Sequence, residues 1–266
     1  MEEAQISSPG ASFSTPKVLI MMADYGHDPT ETAVPYTAFK NANYEIQFAT
    51  ENGKQPRCDK KMLEGFTQKL LGAKKEVISM YKRMAISEEM HHPLSWSDPD
   101  FSLDPFDLVI FPGGHDKGVR QIIDSPIVHK LVVDYFPKTK RPSKKVVGAV
   151  CHGVMVLSES KDANGRSVIH DCNTTALPAK FEQAAYWSTR AVLGDYYKTY
   201  GHGSANVEDS VKKALASPDQ FKASLNPGPF IVEDEQYNYI SARWPADAEL
   251  FAEEIVKLFE SFHRII

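Results

Sequence analysis

Short, mainly apolar runs separated by helical patterns constrain the fold of this chain more than any other feature. The runs occupy residues 18–22, 45–49, 108–111 and 146–150, and each has the length of a strand. Strands of this kind occur in parallel sheets that are buried on both faces. We therefore predict an α/β fold with a doubly wound, mostly parallel sheet sandwiched by helices.

The composition, 42% hydrophobic and 24% charged, is that of a soluble globular protein. Residues 1–15 begin with two acids and contain no apolar stretch, so we predict a disordered tail there and a single domain over residues 16–266. Residues 52–105 are too long for a plain connection and carry a helical pattern. We predict that they form a helical insertion, either a cap or an interface element.

Charge and cysteine usage exclude several classes of partner. The net charge is −5 and no segment is rich in basic residues, so we expect no nucleic-acid partner. No apolar run approaches the length of about 18 residues that a membrane span requires. The cysteines, Cys58, Cys151 and Cys172, are too few for a disulfide framework, which favours a reducing, cytoplasmic location.

Residues 146–155 have the layout of a nucleophile elbow. An apolar strand runs directly into Cys151, His152 and Gly153 and then into a helical pattern, so that one side chain stands above the sheet on a strained turn. The N-terminus of the following helix offers amide donors and partial positive charge, which favour a thiolate. A buried cysteine at the end of a core strand fits the same pattern, so both roles stay open.

Two further segments follow predicted strands. Gly113 and Gly114 allow the backbone to approach a bound group and present N–H donors, as in an oxyanion hole, and they also fit a simple turn before a helix. Glu31 lies at the carboxyl edge of the predicted sheet, where ligands bind in open α/β folds. With Asp28 as N-cap and Pro29 at the first helical position, Glu31 equally fits the third-position acid of a capping box.

Residues 31–35, 111–115 and 149–153 read Glu-Thr-Ala-Val-Pro, Phe-Pro-Gly-Gly-His and Ala-Val-Cys-His-Gly, each at its own strand-to-helix junction. Together they resemble the ThiJ/PfpI superfamily of class I glutamine amidotransferase-like folds, over about residues 17–262. His152 after the cysteine and the long insertion are similar to its larger branch, which includes heat-shock-type chaperones and glutathione-independent glyoxalases. The resemblance implies a homodimer.

The resemblance also implies roles for individual residues. Cys151 is then the nucleophile, and Glu31 is the carboxyl group that hydrogen-bonds it and shuttles protons. The backbone amides of Gly114 and His152 form the oxyanion hole, and His152 acts as a base that a downstream acid orients. Glu182 is the nearest match for that acid, and a solvated helix acid is its alternative explanation.

Several other polar side chains stand beside these segments. The candidates for lining the substrate pocket, with Gly113, are Tyr25, His27 and His115, although loop hydrogen bonds or caps explain them as well. The pairs and triplets at 91–92 and 170–172 offer too few converging ligands for zinc, so we predict no metal and no other cofactor. Arg243 fits a structural ion pair better than a pocket residue.

We predict a cysteine-dependent enzyme acting on small reactive carbonyl compounds, similar to glyoxalase III, which converts a 2-oxoaldehyde into a 2-hydroxy acid without glutathione. Such a reaction needs one nucleophile, one carboxyl proton shuttle and N–H donors for an oxyanion. Two alternatives stay open. One is a hydrolase or lyase at a carbon–nitrogen bond, or a tailoring step on a larger metabolite, and the other is a stress-response chaperone or redox sensor that uses oxidation of Cys151.

Overall fold

The computed structural model describes residues 15–263, so residues 1–14, nearly all of the predicted tail, and residues 264–266 lie outside the description. The strands of the described part are β1 (Lys17–Met21), β2 (Tyr25–His27), β3 (Glu45–Thr50), β4 (Arg57–Cys58), β5 (Leu94–Ser95), β6 (Leu108–Phe111), β7 (Val146–Val150), β8 (Ile231–Glu233) and β9 (Tyr239–Ala242). All four strands that the apolar runs predict are among them.

Within residues 15–263, seven strands form one sheet in the order β5-β3-β1-β6-β7-β9-β8. Neighbours are parallel except for β8, which runs antiparallel to β9 at one edge. Every residue of β6, β7 and β9 is buried, as expected for strands that helices cover on both faces. The predicted α/β fold with a doubly wound, mostly parallel sheet is therefore confirmed.

The helices of the described part are α1 (Pro29–Asn41), α2 (Lys60–Leu63), α3 (Gly65–Leu71), α4 (Lys75–Ala85), α5 (Glu88–His91), α6 (Arg120–Ile123), α7 (Pro126–Tyr135), α8 (Gly153–Glu159), α9 (Ala179–Leu193), α10 (Val207–Ala214) and α11 (Ala248–His263). Helices α1, α4 and α11 pack together, and α6, α7, α8 and α10 form a second group. From β1 the chain continues to β3 on one side of the sheet, and from β6 it continues to β7 on the other side. Because crossovers between parallel strands are right-handed, the two groups of helices lie on opposite faces of the sheet.

Residues 52–105 contain β4, helices α2 to α5 and β5. Helix α4 packs against α1, and β4 pairs with β2 in a small parallel ribbon. The short strand β5 joins the main sheet beside β3, a feature that two residues of mixed polarity did not signal in the sequence. The segment is mainly helical, and it also supplies the edge of the sheet.

Candidate active site

Cys151 occupies the turn between β7 and α8. Its φ is +57°, in the left-handed region that non-glycine residues rarely adopt, so the strain expected of a nucleophile elbow is present. Its own amide donates to Ala242 O at 3.0 Å, which ties the turn to the end of β9. The side chain is buried, with 1% of its surface exposed. The sheet and its neighbours therefore hold the thiol in one place.

Glu31 lies in the first turn of α1 but does not complete a capping box. Asp28 caps the helix, its Oδ1 accepting from Thr30 N at 2.7 Å and Glu31 N at 3.2 Å. The Asp28 amide donates to Gly113 O rather than to Glu31. Glu31 instead turns its carboxyl group toward the glycine turn, where Oε2 accepts from Gly113 N at 2.9 Å. Its Oε1 has no nitrogen or oxygen partner among residues 15–263, and the carboxyl group forms a hydrogen-bonding contact with the Cys151 thiol, as the resemblance implied.

Burial controls the protonation of both groups. Burial and the neighbouring Asp28 raise the pKa of Glu31 well above its usual value. Burial and the negative charge of Glu31 raise the pKa of the Cys151 thiol well above its usual value. The amide of His152 lowers that pKa, but by less than burial raises it. The amide at the start of α8 thus favours the thiolate as expected, but burial is the larger effect and leaves the net pKa of the thiol raised.

The glycine turn after β6 packs tightly against both groups. A Cβ at Gly113 would lie 2.7 Å from Glu31 Oε2 and 2.7 Å from His152 N, so only glycine fits. Gly114 has φ of +150°, and a Cβ there would meet Gly26 O at 2.4 Å. Among the described residues, the amides of Gly114 and His152 donate to no backbone carbonyl. The His152 amide instead hydrogen-bonds the Cys151 sulfur, so both amides point toward the place where an oxyanion bonded to Cys151 would form.

His152 contacts the thiol, but not through the predicted acid. Its Nδ1 lies 3.4 Å from Cys151 Sγ, and its Nε2 lies 2.9 Å from Thr199 Oγ1. Glu182 is bonded elsewhere, to Lys198 Nζ at 3.1 Å and to Val207 N at 2.8 Å. The expectation that Glu182 orients His152 is therefore not met, because the folded loops carry a threonine to the imidazole instead. Glu182 is also buried, so it is not a solvated helix acid.

The three other polar candidates have different surroundings. His27 accepts from Ala23 N at 2.8 Å through Nε2, and its Nδ1 lies 3.0 Å from Pro112 O, so its ring ties β1 to the glycine turn. Tyr25 OH donates to Asp59 Oδ1 at 3.2 Å. The His115 ring packs edge-on against His152, with centroids 4.9 Å apart, and its Nδ1 has no partner among the described residues.

Burial favours the neutral form of each imidazole in the site. Burial lowers the pKa of His27 to about 4 and that of His115 to about 4. Burial, with smaller contributions from His115 and Lys198, lowers the pKa of His152 well below its usual value. A neutral imidazole can accept a proton from the Cys151 thiol, which a protonated one cannot.

Residues 194–206, which we term the cover segment, were missed by sequence reasoning. Thr199 reaches His152, the Tyr197 ring packs edge-on against His115 at 4.6 Å, and Tyr196 OH donates to Asp59. The buried Lys198–Glu182 ion pair anchors the segment. The sequence signal was a cluster of tyrosines between glycines, and it does not say which surface they cover.

Arg243 is buried and structural, in agreement with its sequence interpretation. Its Nε and Nη2 donate to Asp247 at 2.8 Å each, and its Nη1 and Nη2 also donate to the carbonyls of Ser224, Asn226 and Gly228. It therefore organises the loop before β8. Within residues 15–263, no three His, Cys, Asp or Glu side chains are grouped as metal ligands. In the same part of the chain, no helix is long and apolar enough to cross a bilayer.

A doubly wound sheet with a cysteine on a strained elbow, a buried glutamate and a glycine turn is an α/β protein of the amidotransferase-like class. Residues 22–238 match the family described as ThiJ/PfpI family-like. The match spans most of the chain, and the chain belongs to this family.

Two of the similar proteins match nearly the whole chain, and a third matches about half of it. An uncharacterized protein of Schizosaccharomyces pombe is 27% identical over 257 residues, which cover 95% of this chain and 87% of that protein. The glutathione-independent glyoxalase hsp3101 of the same yeast is 27% identical over 155 residues, covering 55% of this chain and 57% of that protein. The crystal structure of glyoxalase III from Candida albicans has a TM-score of 0.62 at 19% identity, covering 92% of this chain and 98% of that one.

Proposed function

We propose that this protein is a cysteine-dependent enzyme that converts a small 2-oxoaldehyde into a 2-hydroxy acid without glutathione. The observation that carries the proposal is the buried Glu31 carboxyl group. One of its oxygens accepts from the Gly113 amide, and the carboxyl group hydrogen-bonds the Cys151 thiol and raises its pKa. The names of the Candida and Schizosaccharomyces glyoxalases support the choice of substrate class.

The first step forms a bond between Cys151 Sγ and the aldehyde carbon. The thiol proton passes to His152 Nδ1, 3.4 Å away, while the sulfur electron pair bonds to carbon and the C=O pair moves to oxygen. The amides of Gly114 and His152 stabilise the oxyanion. The proton held by His152 then neutralises it, giving a hemithioacetal.

The second step moves a proton between neighbouring carbons. The Glu31 carboxylate takes the proton from the carbon bonded to sulfur, and the C–H electron pair moves toward the neighbouring carbonyl oxygen, which gives an enediolate. Glu31 then returns that proton to the neighbouring carbon, while the hydroxyl proton on the carbon bonded to sulfur passes to the neighbouring oxygen, so that a thioester and a 2-hydroxyl group form. Because burial raises the pKa of Glu31, its carboxylate is a stronger base than an exposed one. One carbon is oxidised and the other reduced, so no external oxidant is needed. Water then cleaves the thioester, which releases the 2-hydroxy acid and the thiol.

The enclosure of the site favours this reaction over the alternatives. A redox sensor needs an accessible thiol of low pKa, whereas Cys151 is 1% exposed and burial raises its pKa. A larger metabolite needs a roomy pocket. The cavity of about 700 Å³ near Trp96 and Tyr135 contains none of the motif residues. A substrate of a few atoms fits the geometry best.

The test is incubation with methylglyoxal in the absence of glutathione, with lactate measured over time. We expect lactate from the wild type and none above background from Cys151→Ala. The matched control is Cys172→Ala, because Cys172 is also buried but does not contact the site. Absence of lactate from the wild type, or equal turnover by Cys151→Ala, would refute the proposal.

We also propose that the chain forms a homodimer in a reducing compartment. Apolar side chains on α3 support the dimer, since Phe66 is 70% and Leu70 is 60% exposed. They lie within residues 52–105, the segment expected to contribute an interface. The three free cysteines support the compartment.

A further inference from the structure

Thr199 joins the cover segment to His152 and His115. Its Oγ1 lies 2.9 Å from His152 Nε2 and 3.0 Å from His115 O. A threonine hydroxyl carries one hydrogen, so it can donate to only one of these two acceptor positions. The choice decides which nitrogen of His152 carries a proton.

The carbonyl of His115 determines which way the Thr199 hydroxyl points its hydrogen. A carbonyl oxygen can only accept, and among residues 15–263 no other donor reaches His115 O. If Thr199 donated to His152, that carbonyl would be left as a buried acceptor without a donor, which destabilises the folded state. Thr199 therefore donates to His115 O, and its oxygen accepts from a protonated Nε2 of His152. The other ring nitrogen, Nδ1, then carries a lone pair that faces Cys151 Sγ at 3.4 Å.

We propose that Thr199 is a positioning residue that holds His152 in the tautomer protonated at Nε2 and unprotonated at Nδ1, so that Nδ1 accepts the thiol proton of Cys151. In this chain a hydroxyl thus takes the place of the acid expected at Glu182. This inference rests on the proposed function for its catalytic consequence, while the tautomer itself does not depend on the substrate.

The role differs from that of a carboxylate partner. A carboxylate next to an imidazole stabilises the imidazolium, whereas a neutral hydroxyl orients the ring with little stabilisation of its charge. Lys198, the neighbour of Thr199 in the chain, adds positive charge that lowers the pKa of His152. The imidazolium formed when Cys151 loses its proton is therefore short-lived and returns the proton to the substrate oxygen. The bonds made and broken are those of the first step above.

The test compares Thr199→Val with Thr199→Ser. Valine has the shape of threonine without the hydroxyl, and serine restores the hydroxyl. The matched control is Thr189→Val, because Thr189 is also buried and bonds only to Ala185 O within α9. Two readouts need no substrate: the ¹⁵N shifts of the His152 ring, and the pH profile of Cys151 alkylation by iodoacetamide.

We expect His152 to be protonated at Nε2 in the wild type and in Thr199→Ser, and to exist as a mixture of the two tautomers in Thr199→Val. We expect alkylation near neutral pH and lactate formation to fall by about 10-fold or more in Thr199→Val, within the range of general-base catalysis, and to recover in Thr199→Ser. An unchanged tautomer in Thr199→Val, no recovery in Thr199→Ser, or an equal loss in Thr189→Val would overturn the inference. A wild type that makes no lactate but shows the expected tautomer and alkylation pattern would refute the proposed function and support the role of Thr199.

Discussion

Glu31 Oε2 accepts a hydrogen bond from the amide of Gly113 at 2.9 Å, which joins the helix after β1 to the turn after β6. The carbonyl of Gly113 in turn accepts from the amide of Asp28 at 2.9 Å. These two bonds hold the start of α1 against the glycine turn. A substitution at Glu31 therefore separates its structural contact from its acid–base chemistry.

For Glu31→Gln we expect turnover to fall by roughly 10²–10⁴-fold, because an amide neither takes nor returns a proton. Its side-chain oxygen can still accept from Gly113, so the melting temperature should stay close to that of the wild type. Lactate formation and thermal unfolding are measured on the same samples, with Glu249→Gln at the start of α11 as control. Turnover near the wild-type rate would leave Glu31 with a structural role alone.

Cys151 should be alkylated before Cys58 and Cys172. All three thiols are buried and burial raises the pKa of each, but only Cys151 lies beside the backbone amide of His152 at a helix start. Because its pKa is raised, its rate should keep increasing above pH 8. Mass spectrometry after iodoacetamide treatment at several pH values gives the order, and earlier modification of Cys58 or Cys172 contradicts it.

Acidification should destabilise the fold through His27. Burial lowers its pKa to about 4 in the folded state, while the unfolded side chain titrates near 6.5. The unfolded state thus binds the extra proton first, and stability is lost as the pH falls from about 6.5 toward 4. Between pH 7 and pH 5, protonation of His27 in the unfolded state lowers the free energy of unfolding by about 2 kcal/mol.

Asp28 acts in the opposite direction, because burial raises its pKa to about 6 and protonation relieves the cost of its buried charge. Urea unfolding of the wild type and of His27→Gln at pH 7 and pH 5 isolates the contribution of His27, since all other groups are shared. We expect the variant to lose less stability on acidification. Equal losses in both proteins would show that His27 does not control the acid response.

Replacing Arg243 by Met should destabilise the fold by about 3–5 kcal/mol, because it leaves Asp247 as a buried charge without its partner. Three carbonyls of the loop before β8 would also lose their donor. Lys257→Met is the control, since its ion pair with Glu254 lies on the surface of α11. Urea unfolding measures both, and a loss at Arg243 no larger than at Lys257 would contradict this account.

The wild type should sediment as a dimer at micromolar concentration. Phe66→Glu combined with Leu70→Glu should shift it to the monomer, because charges would enter the interface proposed on α3. Leu225→Glu places a charge on another exposed apolar residue and serves as the control. A monomeric wild type would exclude the dimer, and a dimeric double variant would exclude this interface.

The parallel sheet was predictable because buried strands must be apolar along their whole length. The apolar runs at 108–111 and 146–150 became β6 and β7 with the predicted bounds. The elbow at Cys151 was predictable for the same reason, since a strand that ends in a small polar residue before a helix has few ways to turn. Glu31 had two interpretations on spacing alone, and the structure shows its carboxyl group on Gly113 instead of closing a capping box.

The partner of His152 was not predictable from spacing. Glu182 lies at a suitable distance along the chain, but the side chain that reaches the imidazole depends on how the loop after α9 folds back. That loop is held by Lys198 and Tyr196, whose contacts lie far away in sequence at Glu182 and Asp59. Long-range contacts of this kind leave no periodic pattern, so Thr199 had no sequence signal.

Because Cys151, Glu31 and His152 are each 1% exposed, the Cys151 sulfur is closed off from solvent in the described structure. Under the proposed function, an aldehyde would reach the sulfur only in the fraction of molecules that are locally open, and the observed capture rate would be that fraction multiplied by the rate of the open form. The same closure would shield the proposed hemithioacetal from loss to bulk solvent. Hydrogen exchange at residues 194–206 and the bimolecular rate constant should therefore change together when the cover segment is loosened.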